Sequence, residues 1–190
     1  MTPIEAIADR ELGIEIYLSH PSLFVTQNLS NILPEWSAQT AWVILILQQS
    51  QFALNQLHSE VEIEKNRLRN QFMNFSLAVV KALGERDFCS DIFDPMTGDP
   101  VLSRRGSMTH DDVAVVKALL NFPTTDDRCS ALIHPRWQTA VYPGVLITSA
   151  TPTTIEPILR QREFDEFKTS PQPFCYQERG KNILNLSLTS

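Results

Sequence analysis

Trp42-Val43-Ile44-Leu45-Ile46-Leu47 is an unbroken apolar run. A strand with one wet face alternates apolar and polar residues, so a run without alternation reads as a central strand covered on both faces. Each fully buried aliphatic side chain there contributes about 1.5–3 kcal/mol. The core is expected to be organised around this segment. The longest apolar stretch, Ala41 to Leu47, is seven residues, far below the ~20 that a membrane-spanning helix needs.

Working outward, Gly13 to Leu18 (GIEIYL) alternates around Ile14 and Ile16 and predicts a half-buried first strand. Pro21 opens an amphipathic helix over Ser22 to Leu33, stopped by Pro34. Asn55 to Leu83 holds no Gly or Pro, and Val61, Leu68, Phe72, Phe75, Val79, Ala82 and Leu83 return at helical spacing. This is the expected long helix, with Lys81 suiting its negative end and Gly84 placed as its cap. Phe88 to Phe93 reads as a strand, Asp94-Pro95-Met96-Thr97-Gly98 as a turn, and Val101 and Leu102 as a hairpin-like return. Thr109 with Asp112 resembles a helix start ahead of Val113 to Leu120. Ser130 to Ile133 and Val141 to Thr148 read as short strands around His134-Pro135-Arg136-Trp137, and Thr154 to Lys168 as a last helix containing Pro157. The reading is one α+β domain over 1–168 with a polar tail over 169–190.

The chain has 190 residues with 43% apolar side chains, enough for one well-cored domain. Lys plus Arg number 16 against 22 Asp plus Glu, giving a net charge of −6 and a pI near 5.2. That balance argues against nucleic acid or an anionic membrane as the default partner. Met1 to Arg10 carries two acidic residues before its first Arg and no apolar stretch, so the expected location is the cytosol. Cys89, Cys129 and Cys175 are odd in number and widely spaced, which reads as free thiols rather than a disulfide framework. Nucleotide-binding glycine fingerprints, a Walker-type lysine, His-Glu-x-x-His and Gly-x-Ser-x-Gly do not occur. Cys129 and His134 form only one near pair, short of a zinc site.

Cys129 comes after Asp126, Asp127 and Arg128 in a polar segment. The neighbouring guanidinium favours the thiolate, the form that binds metals or attacks electrophiles. A strand-edge cysteine with no further role fits the same residues. Ser103 to Ser107, with Arg104 and Arg105, reads as a solvated loop.

Four segments together carry a family likeness. Glu60-Val-Glu-Ile-Glu64 leads into the long helix, and Asp91-Ile-Phe-Asp-Pro95 with Thr97-Gly98 succeeds it. Cys129 with His134 and Trp137 comes next, and Thr148-Ser-Ala-Thr-Pro152 closes the series. In this order and spacing the chain resembles the cobalamin-trafficking family of the methylmalonic aciduria and homocystinuria type D protein, from about Glu11 to Leu159. The resemblance implies a nitroreductase-like α+β fold, a mixed sheet flanked by helices, with no flavin and no enzyme activity. It also implies an adaptor that binds a cobalamin-processing chaperone, the type C protein of the same disease series. Such an adaptor helps route the cofactor to methionine synthase or methylmalonyl-CoA mutase.

In that family a cysteine near the domain's end gives a thiolate to cobalt while the chaperone holds the corrinoid, which makes Cys129 the expected cobalamin contact and cobalt ligand. The family shows two adjacent cysteines where this chain has Cys129 alone. Counting forward from Phe122, Cys129 takes the ligand position; counting back from His134, Arg128 takes it. A soft thiolate suits cobalt and a guanidinium has no lone pair to offer, which favours the first alignment. Asp94, Pro95 and Gly98 are expected to hold a turn, Trp137 to pack, and His134 to be a satisfied loop histidine rather than a cobalt ligand. Glu60, Glu62 and Glu64 are expected to form a solvated helix start. The rival readings are a flavin-dependent reductase of the same lineage, in which Arg104 and Arg105 would meet phosphate, and an interaction module without cofactor. The oligomeric state is left open.

Overall fold

The computed structural model describes residues 3–39, 41–126 and 131–161. Its elements run β1 (Ile4–Asp9), β2 (Ile14–Ser19), α1 (Leu23–Ile32), β3 (Trp42–Gln49) and α2 (Ser59–Gly84). After these come β4 (Ser90–Ile92), α3 (Asp112–Leu120), β5 (Val141–Thr148) and α4 (Pro152–Gln161). The strands form one five-stranded sheet in the order β1-β2-β3-β5-β4. The α+β class holds, while the sheet expected to be mixed is antiparallel at each of these pairings.

β3 is the central strand, and its two sets of side chains divide the core. Ile44 and Ile46 face Phe72, Phe75 and Val79 of α2 together with Ile155, Ile158 and Leu159 of α4. Val43, Leu45 and Leu47 face Val25 and Ile32 of α1 together with Val115 and Val116 of α3. The sheet is thus the middle of three layers, which is why β3 has no polar alternation. At the middle of the β3–β5 ladder Gly144 pairs with Ile46. A Cβ on Gly144 would lie 2.4 Å from the Phe72 ring, so the missing side chain is what lets α2 pack this closely onto the sheet.

Several boundaries differ from the sequence reading. β1 precedes the strand expected to be first; its register breaks between Glu5 and Ile7. β2 is covered on both faces rather than half-buried, with only Tyr17 partly exposed, because the turn that carries His134 and Arg136 lies against the face that carries Glu15. α1 starts where expected, with Ser22 Oγ accepting from Val25 N at 3.3 Å. α3 is capped by Asp111, whose carboxylate accepts from Ala114 N at 3.0 Å, rather than by Thr109. Gly84 is the last residue of α2 rather than its left-handed cap; the positive φ falls later, at Asp87. Glu60 and Glu62 are exposed as expected, but Glu64 is buried, holding Arg67 at 2.6 Å and accepting from Gln51 N at 2.9 Å. α4 begins at Pro152; the expected tail and the division at residue 168 lie outside the described residues. No described helix is long and apolar enough to cross a membrane.

Candidate functional site

The segment that carries Cys129 is flanked by two paired stretches. Thr124 bridges Leu132, Thr125 N donates to Ala131 O at 2.9 Å, and Ile133 N donates to Pro123 O at 2.8 Å. Cys129 and Arg128, the two residues between which the sequence left the ligand position open, fall between these flanks and outside the described residues.

A cluster around the buried Glu15 carboxylate fixes the chain on the C-terminal side of Cys129. His134 and Gln138 exchange both main-chain hydrogen bonds at 2.9 Å, closing a tight turn in which Gln138 takes a positive φ of 52°. Within it the Arg136 and Trp137 N–H groups both donate to His134 Nδ1 at 3.2 Å. That atom therefore accepts, and the ring proton sits on Nε2, which donates to Glu15 Oε2 at 3.2 Å. Glu15 also accepts from Tyr17 Oη at 2.5 Å and from the Arg136 guanidinium. The His134 ring stacks on Trp137 with centroids 4.1 Å apart and meets Phe122 edge-on at 5.2 Å.

The electrostatics result from this packing. Burial pushes the His134 imidazole below its ordinary range despite the carboxylate beside it, so the ring is neutral. Burial alone would raise Glu15, but hydrogen bonds from Tyr17, Arg136 and His134 hold it below its usual value. With both ring nitrogens engaged, His134 has no lone pair for a metal. It is a satisfied loop histidine, and Trp137 packs, both as expected.

The Asp91–Gly98 motif is likewise structural. Asp91 Oδ1 accepts from Ile92, Val101 and Leu102 N at 2.7–3.1 Å, and Oδ2 from Ser103 N and Oγ at 2.9 and 2.5 Å. One buried carboxylate thus ties the strand end to the returning chain. Asp94 receives Arg69 of α2 through two bonds at 2.7 and 2.6 Å. Burial works against its ionisation, and the Arg69 pair together with Met96 N lowers its pKa all the same. Gly98 N donates to Asp94 O at 2.7 Å, closing the expected turn. At the last motif Thr148 Oγ1 accepts from Ser90 Oγ at 2.8 Å and from Ala150 N at 3.1 Å, fixing the exit from β5. Arg104 and Arg105 reach Glu35 at 3.9 Å and Asp99 at 3.0 Å.

Between the Asp94 turn, the start of α3, the start of β5 and the Ala131–Leu132 stretch lies a cleft of about 420 Å³. Two of its residues, His110 and Asp112, are buried and 2.8 Å apart, a pairing absent from the sequence reading, which takes Asp112 only as part of a helix start. His110 is isolated in sequence from any other candidate ligand, and no motif singles it out. Among the described residues no group of three or more His, Cys, Asp or Glu side chains is placed to hold a metal ion.

The family described as methylmalonic aciduria and homocystinuria type D protein matches residues 4–158. The protein named cobalamin trafficking protein CblD from Homo sapiens is 25% identical over 127 residues, 66% of this chain and 43% of that protein. The protein of the same name from Rattus norvegicus is 24% identical over 126 residues, with the same coverage. The chain thus spans less than half the length of these curated relatives. With the whole sheet and all four described helices inside the matched span or reaching its end, this chain belongs to the methylmalonic aciduria and homocystinuria type D protein family.

Proposed function

We propose that this protein acts in cobalamin metabolism as a non-enzymatic trafficking adaptor, docking on a cobalamin-processing chaperone in the cytosol and placing the Cys129 thiolate against the cobalt of the cargo. The observation that carries the reading is the family match over residues 4–158, reinforced by two relatives named as cobalamin trafficking proteins.

Three features support Cys129 as the contact. A thiolate is a soft ligand, and the adjacent Arg128 favours its ionisation. The stretches on either side of 127–130 are paired to each other, and the Glu15 cluster anchors the chain beyond them. His134, the other candidate nearby, spends both ring nitrogens on the protein itself. The adaptor helps direct the cofactor toward methionine synthase or methylmalonyl-CoA mutase, and the corrinoid is cargo that it contacts only together with the chaperone.

The test is size-exclusion chromatography of this chain with a cobalamin-processing chaperone loaded with hydroxocobalamin. Co-elution of both chains with the corrinoid absorbance supports the adaptor reading. Separate elution at micromolar concentrations of both proteins overturns it.

A further inference from the structure

Arg104-Arg105-Gly106-Ser107 is the one place in the sequence where two basic residues adjoin, and it sets arginines three and two positions ahead of a serine. A serine kinase with a carboxylate-lined substrate groove reads that arrangement, because each guanidinium engages a carboxylate through paired hydrogen bonds. Arg104, Arg105 and Ser107 are all exposed. The arginines' partners within the fold are weak competitors: Arg104 is 3.9 Å from Glu35 and Arg105 is 3.0 Å from Asp99, pairs largely open to solvent. Neighbouring hydroxyls fit less well. Ser103 is partly buried and gives its hydroxyl to Asp91, and Thr109 has Gly106 and Ser107 where the arginines would stand.

The backbone here is lightly tied. Among the described residues no main-chain hydrogen bond holds 104–107; the stretch is fixed at its ends, by Ser103 N on Asp91 Oδ2 at 2.9 Å and by Met108 N on Asn31 O at 3.0 Å. A kinase drawing the stretch into its groove has one main-chain bond to break beside Ser107. The contact lifted is a close one, since a Cβ on Gly106 would lie 1.8 Å from Asn31 O and 2.8 Å from Ile32 O. The chain on either side of Ser107 therefore rests on the last carbonyls of α1. These are the negative end of the helix dipole, and the last turn of α1 holds no basic residue to offset it. A phosphate, with a charge of about −1.5 to −2 at pH 7, is repelled there. Arg104 and Arg105 turning to the phosphate would leave Glu35 and Asp99, which loosens the stretch further.

We propose that Ser107 is a phosphate acceptor for a serine kinase that reads Arg104 and Arg105, and that the phosphate releases residues 104–108 from the end of α1. In the transfer, Ser107 Oγ bonds the γ-phosphorus of ATP as the bond from that phosphorus to the β,γ-bridging oxygen breaks. ADP leaves, and the hydroxyl proton passes to the catalytic carboxylate of the kinase. The released stretch leads into Asp111, which caps α3, so the modification acts on the wall of the cleft that α3 begins. This inference stands apart from the cobalamin reading.

The test incubates the full chain, and separately a free peptide of residues 101–110, with ATP and the catalytic subunit of cyclic-AMP-dependent protein kinase, which selects arginine at these two positions. Mass spectrometry locates the phosphate, and amide hydrogen exchange before and after reads the Met108 N–H. Ser107 of the folded chain should be modified to near completion, Ser107→Ala should take no phosphate in this stretch, and Arg104→Ala with Arg105→Ala should slow transfer about tenfold or more. Exchange at Met108 should rise on phosphorylation. Phosphate on the peptide but not on the folded chain, or on neither, overturns the site, and an unslowed double-arginine variant overturns the role of the arginines. Phosphate on Ser107 with exchange at Met108 unchanged supports the site and overturns the release.

Discussion

The Glu15 carboxylate on β2 holds the His134 ring at 3.2 Å across 119 positions of sequence. The sheet thereby anchors the chain that leads away from Cys129. Because Glu15 also takes Tyr17 and Arg136, losing its charge strips one partner from a nearly buried cluster. Glu15→Gln is expected to lower stability by about 1–3 kcal/mol, read as a lower urea midpoint at unchanged slope. A change below about 0.3 kcal/mol would mean that the cluster is decorative.

Acid should loosen the same anchor first. His134 has a lowered folded pKa against an ordinary value of 6.5, so between the two the unfolded chain binds more protons and stability falls as pH drops below about 6.5. Glu15, also lowered, adds a second loss only below its ordinary 4.5. Urea midpoints measured from pH 7.5 to 5 should therefore fall more steeply for the wild-type chain than for His134→Gln. Parallel curves would contradict a buried neutral histidine.

Gly144 and Phe72 set the distance between sheet and long helix. Gly144→Ala drives a methyl into the aromatic ring and is expected to cost about 1–3 kcal/mol. Adding Phe72→Leu should cost less in the Gly144→Ala background than alone, a coupling visible in a double-mutant cycle. Additive costs would show that the ring moves aside freely.

Asp91 satisfies four main-chain N–H groups and one hydroxyl. Asp91→Ala leaves the Ile92, Leu102 and Ser103 donors without that acceptor, while Val101 N keeps Ile92 O at 2.9 Å. Faster amide hydrogen exchange is expected at Leu102 and Ser103, with about 2–4 kcal/mol lost overall. Unchanged protection at those two amides would contradict the hub role.

Much of this fold was legible in the sequence because burial leaves a periodic mark. The unalternating Trp42–Leu47 run announced a strand covered twice, and the spacing from Val61 to Leu83 announced the face of α2. β1 was missed because Ile4-Glu5-Ala6-Ile7-Ala8-Asp9 is rich in weak strand formers and slips register in its middle. Glu15 and Glu64 were misjudged for one reason: a charged residue on an alternating strand or in a helix's first turns reads as wet. Their burial depends on partners that local pattern does not supply, Arg136 and His134 from 121 and 119 residues away for Glu15, Gln51 from the preceding loop for Glu64. The His110–Asp112 pair is two residues apart in sequence, but its burial beside a cleft is a property of assembled elements. The family likeness was legible because it rests on order and spacing; the match begins at residue 4, ahead of the expected Glu11.

The central claim is thiolate contact with cobalt, and its most direct measurement is an absorbance titration of chaperone-bound hydroxocobalamin with this chain. Wild type, Cys129→Ser and Arg128→Ala would be compared. The account predicts a spectral shift that requires both proteins, is abolished in Cys129→Ser, and survives in Arg128→Ala with a higher pH midpoint, since the thiol then ionises less readily. An undiminished shift in Cys129→Ser, or no shift in the wild-type mixture, would contradict it.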